Sequence, residues 1–107
     1  MELGLKEEYT IKKYLPNKEN LKNLSTFFYA FSDDTRLQII ILLTIKPLCV
    51  GDISNLLNIN QTTISHQLKI LKSLNIVACD RNGKNIIYYI KNTSIEGVLN
   101  ATVDCIA

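Results

Sequence analysis

Apolar residues recur along this chain at two periods, and the change from one to the other divides it. From Asn17 to Phe31, the positions Leu21, Leu24, Phe28 and Phe31 fall on one stripe of a helix. Ser32-Asp33-Asp34-Thr35 breaks that pattern, and its acidic side chains can accept the free N–H groups of a helix beginning near Thr35. This helix reaches about Ile45 and is apolar almost all round, through Leu37, Ile40, Ile41 and Leu43 to Ile45, which marks a central core helix. Lys46-Pro47 ends it, because the residue before a proline is pushed out of helical space. A shorter helix over Val50 to Leu57 is expected to turn Val50, Ile53, Leu56 and Leu57 inward. Asn58-Ile59-Asn60 makes a polar turn, and Gln61 to Asn75 forms the next helix, with Ile64, Leu68, Leu71 and Leu74 on its buried face.

The period then drops to two. Ile76 to Asp80 and Asn85 to Ile90 are rich in Ile, Val and Tyr and read as strands. Asn82-Gly83 between them is a strong hairpin signal, since both central positions of a type I′ turn need positive φ. That register sets Arg81 opposite Lys84 at the tip and Cys79 opposite Ile86. Ser94 to Ala107 returns to helical spacing, with Ile95, Val98, Leu99, Val103 and Ile106 on one face. Ahead of all this lies an N-terminal arm, residues 1–16, in which Leu3, Leu5, Tyr9, Ile11 and Tyr14 are free to pack and Pro16 closes the segment. The expectation is one domain over residues 17–107, mainly α with a β-hairpin, in the order α-α-α-α-β-β-α.

Two helices joined by a short polar turn, followed by a hairpin, make a winged helix-turn-helix. The second of those helices is polar on its free face, through Gln61, Thr62, Thr63, Ser65, His66 and Lys69. Short amide and hydroxyl side chains ending in a cation suit the major groove, where the former read base edges and the latter meets phosphate. Gln61, Thr62, Thr63, Ser65 and His66 are therefore candidates for base-edge and backbone contacts, and Lys69, Arg81 and Lys84 for phosphate. His66 reads equally well as a solvent-facing residue or an intrahelical hydrogen-bond partner.

Charge changes the picture through its placement. The net charge of +2 over 107 residues says little about partners. Yet Lys69, Lys72, Arg81, Lys84 and Lys91 lie between Gln61 and Lys91 opposed by Asp80 alone, while the segment after Lys91 carries Glu96 and Asp104 and no base. Positive charge gathers on the helix and hairpin, as a polyanion-binding surface requires. No apolar run approaches the roughly 20 residues that span a bilayer; Leu37 to Ile45 is interrupted by Gln38 and Thr44. Glu2, Lys6, Glu7 and Glu8 leave no apolar core for a signal peptide. A cytoplasmic protein with no membrane partner is expected. Enzymatic chemistry is not expected: the single histidine lies on the polar helix, and no glycine-rich phosphate loop is present.

The terminal stripes, Leu21, Leu24 and Phe28 at one end and Ile95, Leu99, Val103 and Ile106 at the other, exceed what a small helix-turn-helix core uses. A second copy of the chain is a sensible place to bury them. A two-fold pair would set its recognition helices about one DNA turn, roughly 34 Å, apart.

The strings Asp33-Asp34-Thr35-Arg36-Leu37, Leu48-Cys49-Val50-Gly51-Asp52-Ile53, Gln61 through Leu71, and Arg81-Asn82-Gly83-Lys84 with Tyr88-Tyr89 together resemble the ArsR/SmtB family of bacterial transcriptional repressors. The resemblance runs from about Leu21 to the C-terminus. It implies a homodimer joined through its first and last helices, a palindromic double-stranded operator, and repression lifted by an inducer, usually a metal ion.

The metal sites known in that family are not intact here, so the cofactor is unknown and none is a real alternative. Where the family sets two cysteines around a valine, Cys49 matches the first and Gly51 stands at the second. Where it sets acidic and histidine ligands on the terminal helices, alignment on the wing tyrosines leaves Ser94 and Asp104. One carboxylate is not a zinc site, which wants three or four N, S or O ligands. Cys49, Asp52, Asp104 and Cys105 remain weak metal candidates. The three cysteines, an odd number, argue against a disulfide framework. Cys79 reads as a packing residue. Cys49 precedes the Val50 helix, where free N–H groups and the dipole favour a reactive thiol. With Cys105 it offers an alternative function, a thiol redox or persulfide sensor. A second alternative is a protein-interaction module that uses the helix-turn-helix as scaffold; the lack of aromatic anchors on the polar face weighs against it.

Overall fold

A computed structural model describes residues 2–106. The helices are α1 (Leu5–Lys12), α2 (Lys18–Tyr29), α3 (Asp34–Ile45), α4 (Val50–Leu57), α5 (Gln61–Ser73) and α6 (Ile95–Ile106); the strands are β1 (Leu48–Cys49), β2 (Val77–Asn82) and β3 (Asn85–Ile90). The expected mainly helical, winged architecture is present. Two elements were not anticipated: α1 inside the N-terminal arm, and β1 between α3 and α4.

Local chemistry sets the helix starts. Asn17, Asp33 and Asn60 each sit in extended backbone and accept a hydrogen bond from the amide three residues on, at 2.7, 3.0 and 2.8 Å. Each satisfies an N–H that the helix itself leaves free. Lys46, ahead of Pro47, is fully extended and stops α3. Asn58 adopts the left-handed conformation at φ 55° and ends α4, after which Ser54 Oγ donates to the Ile59 carbonyl across the turn.

The three strands are antiparallel in the order β1-β3-β2, with Leu48 facing Tyr88 across β1 and β3. The hairpin register differs from the expectation. Asn82 pairs with Asn85, so Gly83 and Lys84 are the two turn residues, and Arg81 faces Ile86 while Cys79 faces Tyr88. Gly83 takes φ 65°, and neither Asn82 nor Lys84 is among the positive-φ residues. Glycine at the first central position is the type II′ arrangement, which also matches the twist of the strands.

The core is built from Ala30, Ile39, Ile40, Leu43, Leu48, Ile53, Ile64, Leu68, Leu71, Ile76, Val77 and Ile95. It lies between α3, α4, α5 and the sheet, and so fixes α5 against the scaffold by its Ile64, Leu68 and Leu71 face. Four expectations change here. Leu56 points outward rather than inward, and Ile41 and Ile45 leave the outer side of α3 exposed. Ile95, expected at a dimer interface, is fully buried in the protomer's own core, where the first turn of α6 shares a cleft with Leu43 and Thr44 of α3 and with Ile90 at the end of β3. Leu99, one turn further along, packs only partly on that core. The side chains of Val103, Cys105 and Ile106 lie outside the described residues. On α2, Leu21, Leu24 and Phe28 remain 53, 46 and 53% exposed, turned away from the core that Phe27 and Phe31 touch.

Candidate nucleic-acid interface

The α5 helix presents two chemically opposite faces. Inward, Ile64, Leu68 and Leu71 are fully buried. Outward, Gln61, Thr62, Ser65, His66 and Lys69 are exposed, with Thr63 half-buried beside the Asn60 cap. The first turn has no acidic residue, so its free amides and positive dipole end are available to phosphate oxygens. His66 makes no side-chain hydrogen bond among the described residues, which leaves its ring free rather than spent within the helix.

The wing lies beside the start of this helix. Gln61, Lys84, Asn85 and Ile86 line one shallow cleft together with Cys49, Val50 and Gly51. The tip of the hairpin and the first residue of α5 are thus brought together, although they lie far apart in sequence. Arg81 is exposed on β2, one residue before the paired Asn82 and Asn85, and does not line that cleft. Among the described residues the ion pair present is Lys12 with Glu8 in α1, at 3.1 Å. Lys69, Lys72, Arg81 and Lys84 therefore carry no internal counter-charge, and their charge is directed to solvent or to a ligand.

Two residues of the region were given no role from sequence. Arg36 on α3 is 6% exposed, and Gln67 on α5 is half-buried; the guanidinium donates to the Gln67 amide oxygen at 3.2 Å. The signal that existed was an arginine in the first turn of a helix whose later positions are mostly apolar, and a guanidinium buried with such a helix requires internal acceptors.

Among the described residues the metal candidates do not converge, and the side chain of Cys105 lies outside them. A side chain at position 51 would stand 3.9 Å from both Cys49 Sγ and Gln61 Nε2, and glycine there supplies no ligand. Asp52 and Asp104 are exposed, and no group of three or more His, Cys, Asp and Glu side chains gathers among the described residues. Cys49 and Cys79 are free thiols on the two strands that flank β3.

Residues 33–78, from the cap of α3 through α4 and α5 into β2, match the model of the bacterial regulatory protein arsR family. A cadmium resistance transcriptional regulatory protein, CadC, from Listeria innocua is 37% identical over 83 residues, covering 77% of this chain and 70% of that protein. The chain belongs to the ArsR family. The transcriptional repressor SdpR of Bacillus subtilis is 35% identical over 77 residues, 72% of this chain and 86% of its own length. Among solved structures, the homodimeric winged helix-turn-helix DNA-binding domain Mb0332 from Mycobacterium bovis superposes with a TM-score of 0.73 at 25% identity, covering 85% of this chain and 89% of that one. The ArsR family is one of transcriptional regulators, and the winged architecture found here is its fold. No helix among the described residues is long and apolar enough to cross a membrane.

Proposed function

We propose that this ArsR-family chain is a DNA-binding transcriptional repressor that acts in the cytoplasm, without enzymatic activity, as a homodimer on a palindromic operator. The observation that carries the reading is the polar, fully presented face of α5 beside a wing whose cations lack internal partners. In this reading Gln61, Thr62, Thr63, Ser65 and His66 meet base edges and sugar–phosphate backbone, while Lys69, Arg81 and Lys84 meet phosphate. Leu21, Leu24, Phe28 and Leu99 supply the apolar surface that the second copy covers, and the sequence puts Val103 and Ile106 at the same helical spacing as Leu99. The similarity to regulators named as repressors, and to a domain described as homodimeric, supports both halves of the proposal.

Release by an inducer belongs to the same reading, and Gly51 and Ser94, standing where the family's metal ligands would be, do not favour a metal as that inducer. The test is a gel-shift titration on the DNA upstream of the chain's own gene, repeated with divalent metals, a thiol oxidant and sulfide. Binding at about 10⁻⁸ M or tighter, steeply weakened by salt and lost on scrambled DNA, is expected. Equal affinity for scrambled duplex, or no binding at low salt, would overturn it.

A further inference from the structure

Arg36 is the buried charged residue among those described, and no carboxylate accompanies it. Its Nε donates to the Ala30 carbonyl at 3.3 Å, and its Nη2 to the Tyr29 carbonyl at 3.2 Å and to Ser32 Oγ at 3.3 Å. The guanidinium also lies over the Tyr29 ring, 4.9 Å from its centroid. The remaining nitrogen, Nη1, reaches Gln67 Oε1 at 3.2 Å. One planar cation therefore grips the carbonyl end of α2, where the helix leaves acceptors free and its dipole is negative, and the middle of α5.

The location of this grip gives it consequence. The backbones of α2 and α5 do not pack closely, and further along a cleft lined by Asn23, Thr26, Phe27, Ser73, Leu74 and Asn75 separates them. On α2 lies the exposed Leu21, Leu24 and Phe28 stripe; on α5 lies the polar face. A methionine at position 36 would fill the same space without burying a charge, so what arginine adds is a set of directed bonds at fixed angles.

We infer that Arg36 and Gln67 form the joint that sets the angle between the dimer helix and the recognition helix, and so the half-site separation that a pair of these chains accepts. They are positioning residues for operator choice and touch no DNA themselves. Half-site spacing in a two-fold reader is a geometric quantity, so a joint between these two helices acts on it directly. The inference rests on the DNA-binding reading for its consequence and on the Arg36 geometry for its mechanism.

Removing Arg36 endangers the fold, so the informative variants are at half-buried Gln67. Gln67→Met keeps the volume and loses the acceptor; Gln67→Glu keeps the acceptor. The readout is affinity for the operator isolated from the upstream DNA, with one or two base pairs added to or removed from its centre. Wild type and Gln67→Glu should each lose about tenfold or more per changed base pair, the size of a typical specificity step. Gln67→Met should show a clearly smaller loss, with its salt dependence unchanged. Full spacing discrimination in Gln67→Met would overturn the inference.

A second measurement needs no DNA. Spin labels at Lys22→Cys on α2 and Lys69→Cys on α5, with the native cysteines replaced by serine and the labelled chain diluted in unlabelled, report the interhelix distance distribution. Gln67→Met should broaden it, and Gln67→Glu should not. An unbroadened distribution overturns the joint by itself, whereas a wild-type chain that ignores duplex DNA overturns the operator consequence along with the proposed function.

Discussion

Helices α2 and α5 are built alike at their starts and used in opposite ways. Both are about three turns long, and both begin on an asparagine whose side chain accepts the third amide. Yet α5 buries Ile64, Leu68 and Leu71 completely and shows water a polar face, while α2 buries none of its residues and shows water Leu21, Leu24 and Phe28. A polar outer face on a rigidly seated helix suits hydrogen-bonding recognition of a polyanion. An apolar outer face on a helix with little hold on its own core suits a protein surface, and a second copy is the partner that continues such a stripe. The contrast shows that the informative half of a small helix is the one its own core does not claim.

Five substitutions break or sharpen this contrast. Phe28→Asp places a charge in the apolar stripe and should have the largest effect, abolishing dimers at micromolar concentration in sedimentation and operator binding with them. A stable dimer in that variant would remove α2 from the interface. Leu68→Ala strikes the buried side of α5 and should cost about 2–5 kcal/mol of unfolding free energy by denaturant titration; its partner change Leu24→Ala should cost the monomeric protomer far less. Gln61→Ala leaves stability alone and should weaken the operator complex by about 1–3 kcal/mol, relaxing preference at one base position per half-site. Lys69→Ala should have the smallest effect, weakening all duplexes alike and lowering the salt slope by about one unit per protomer. A loss confined to one base pair would reassign Lys69 from phosphate to base recognition.

Much of the wing was legible, and its errors are instructive. Strand identity followed from Ile, Val and Tyr in β3, but the turn slipped by one position. Asn82-Gly83 and Gly83-Lys84 are both two-residue loops by composition, and only the strand pairing selects the one that leaves Asn82 bonded to Asn85. Strand β1 escaped notice because two residues carry no period; it exists because β3 offers Leu48 and Cys49 an edge. Ile95 and Leu99 share a helical stripe, so spacing alone assigned them one fate. The protomer's core takes in Ile95 completely and Leu99 only in part.

What the chain's own chemistry determined is local: asparagine and aspartate caps, a proline stop, a glycine turn, and the two faces of α5, each decided by groups within a few residues of one another. Family membership follows from the same short strings. What tertiary structure alone decided is where distant segments meet: the wing tip beside Gln61, the placement of Ile95 in the core, and the bond from Arg36 to Gln67 across 31 residues of sequence. The physical reason is that caps and turns answer to backbone groups close by in the chain. A buried guanidinium answers to whatever acceptors the folded core brings within reach.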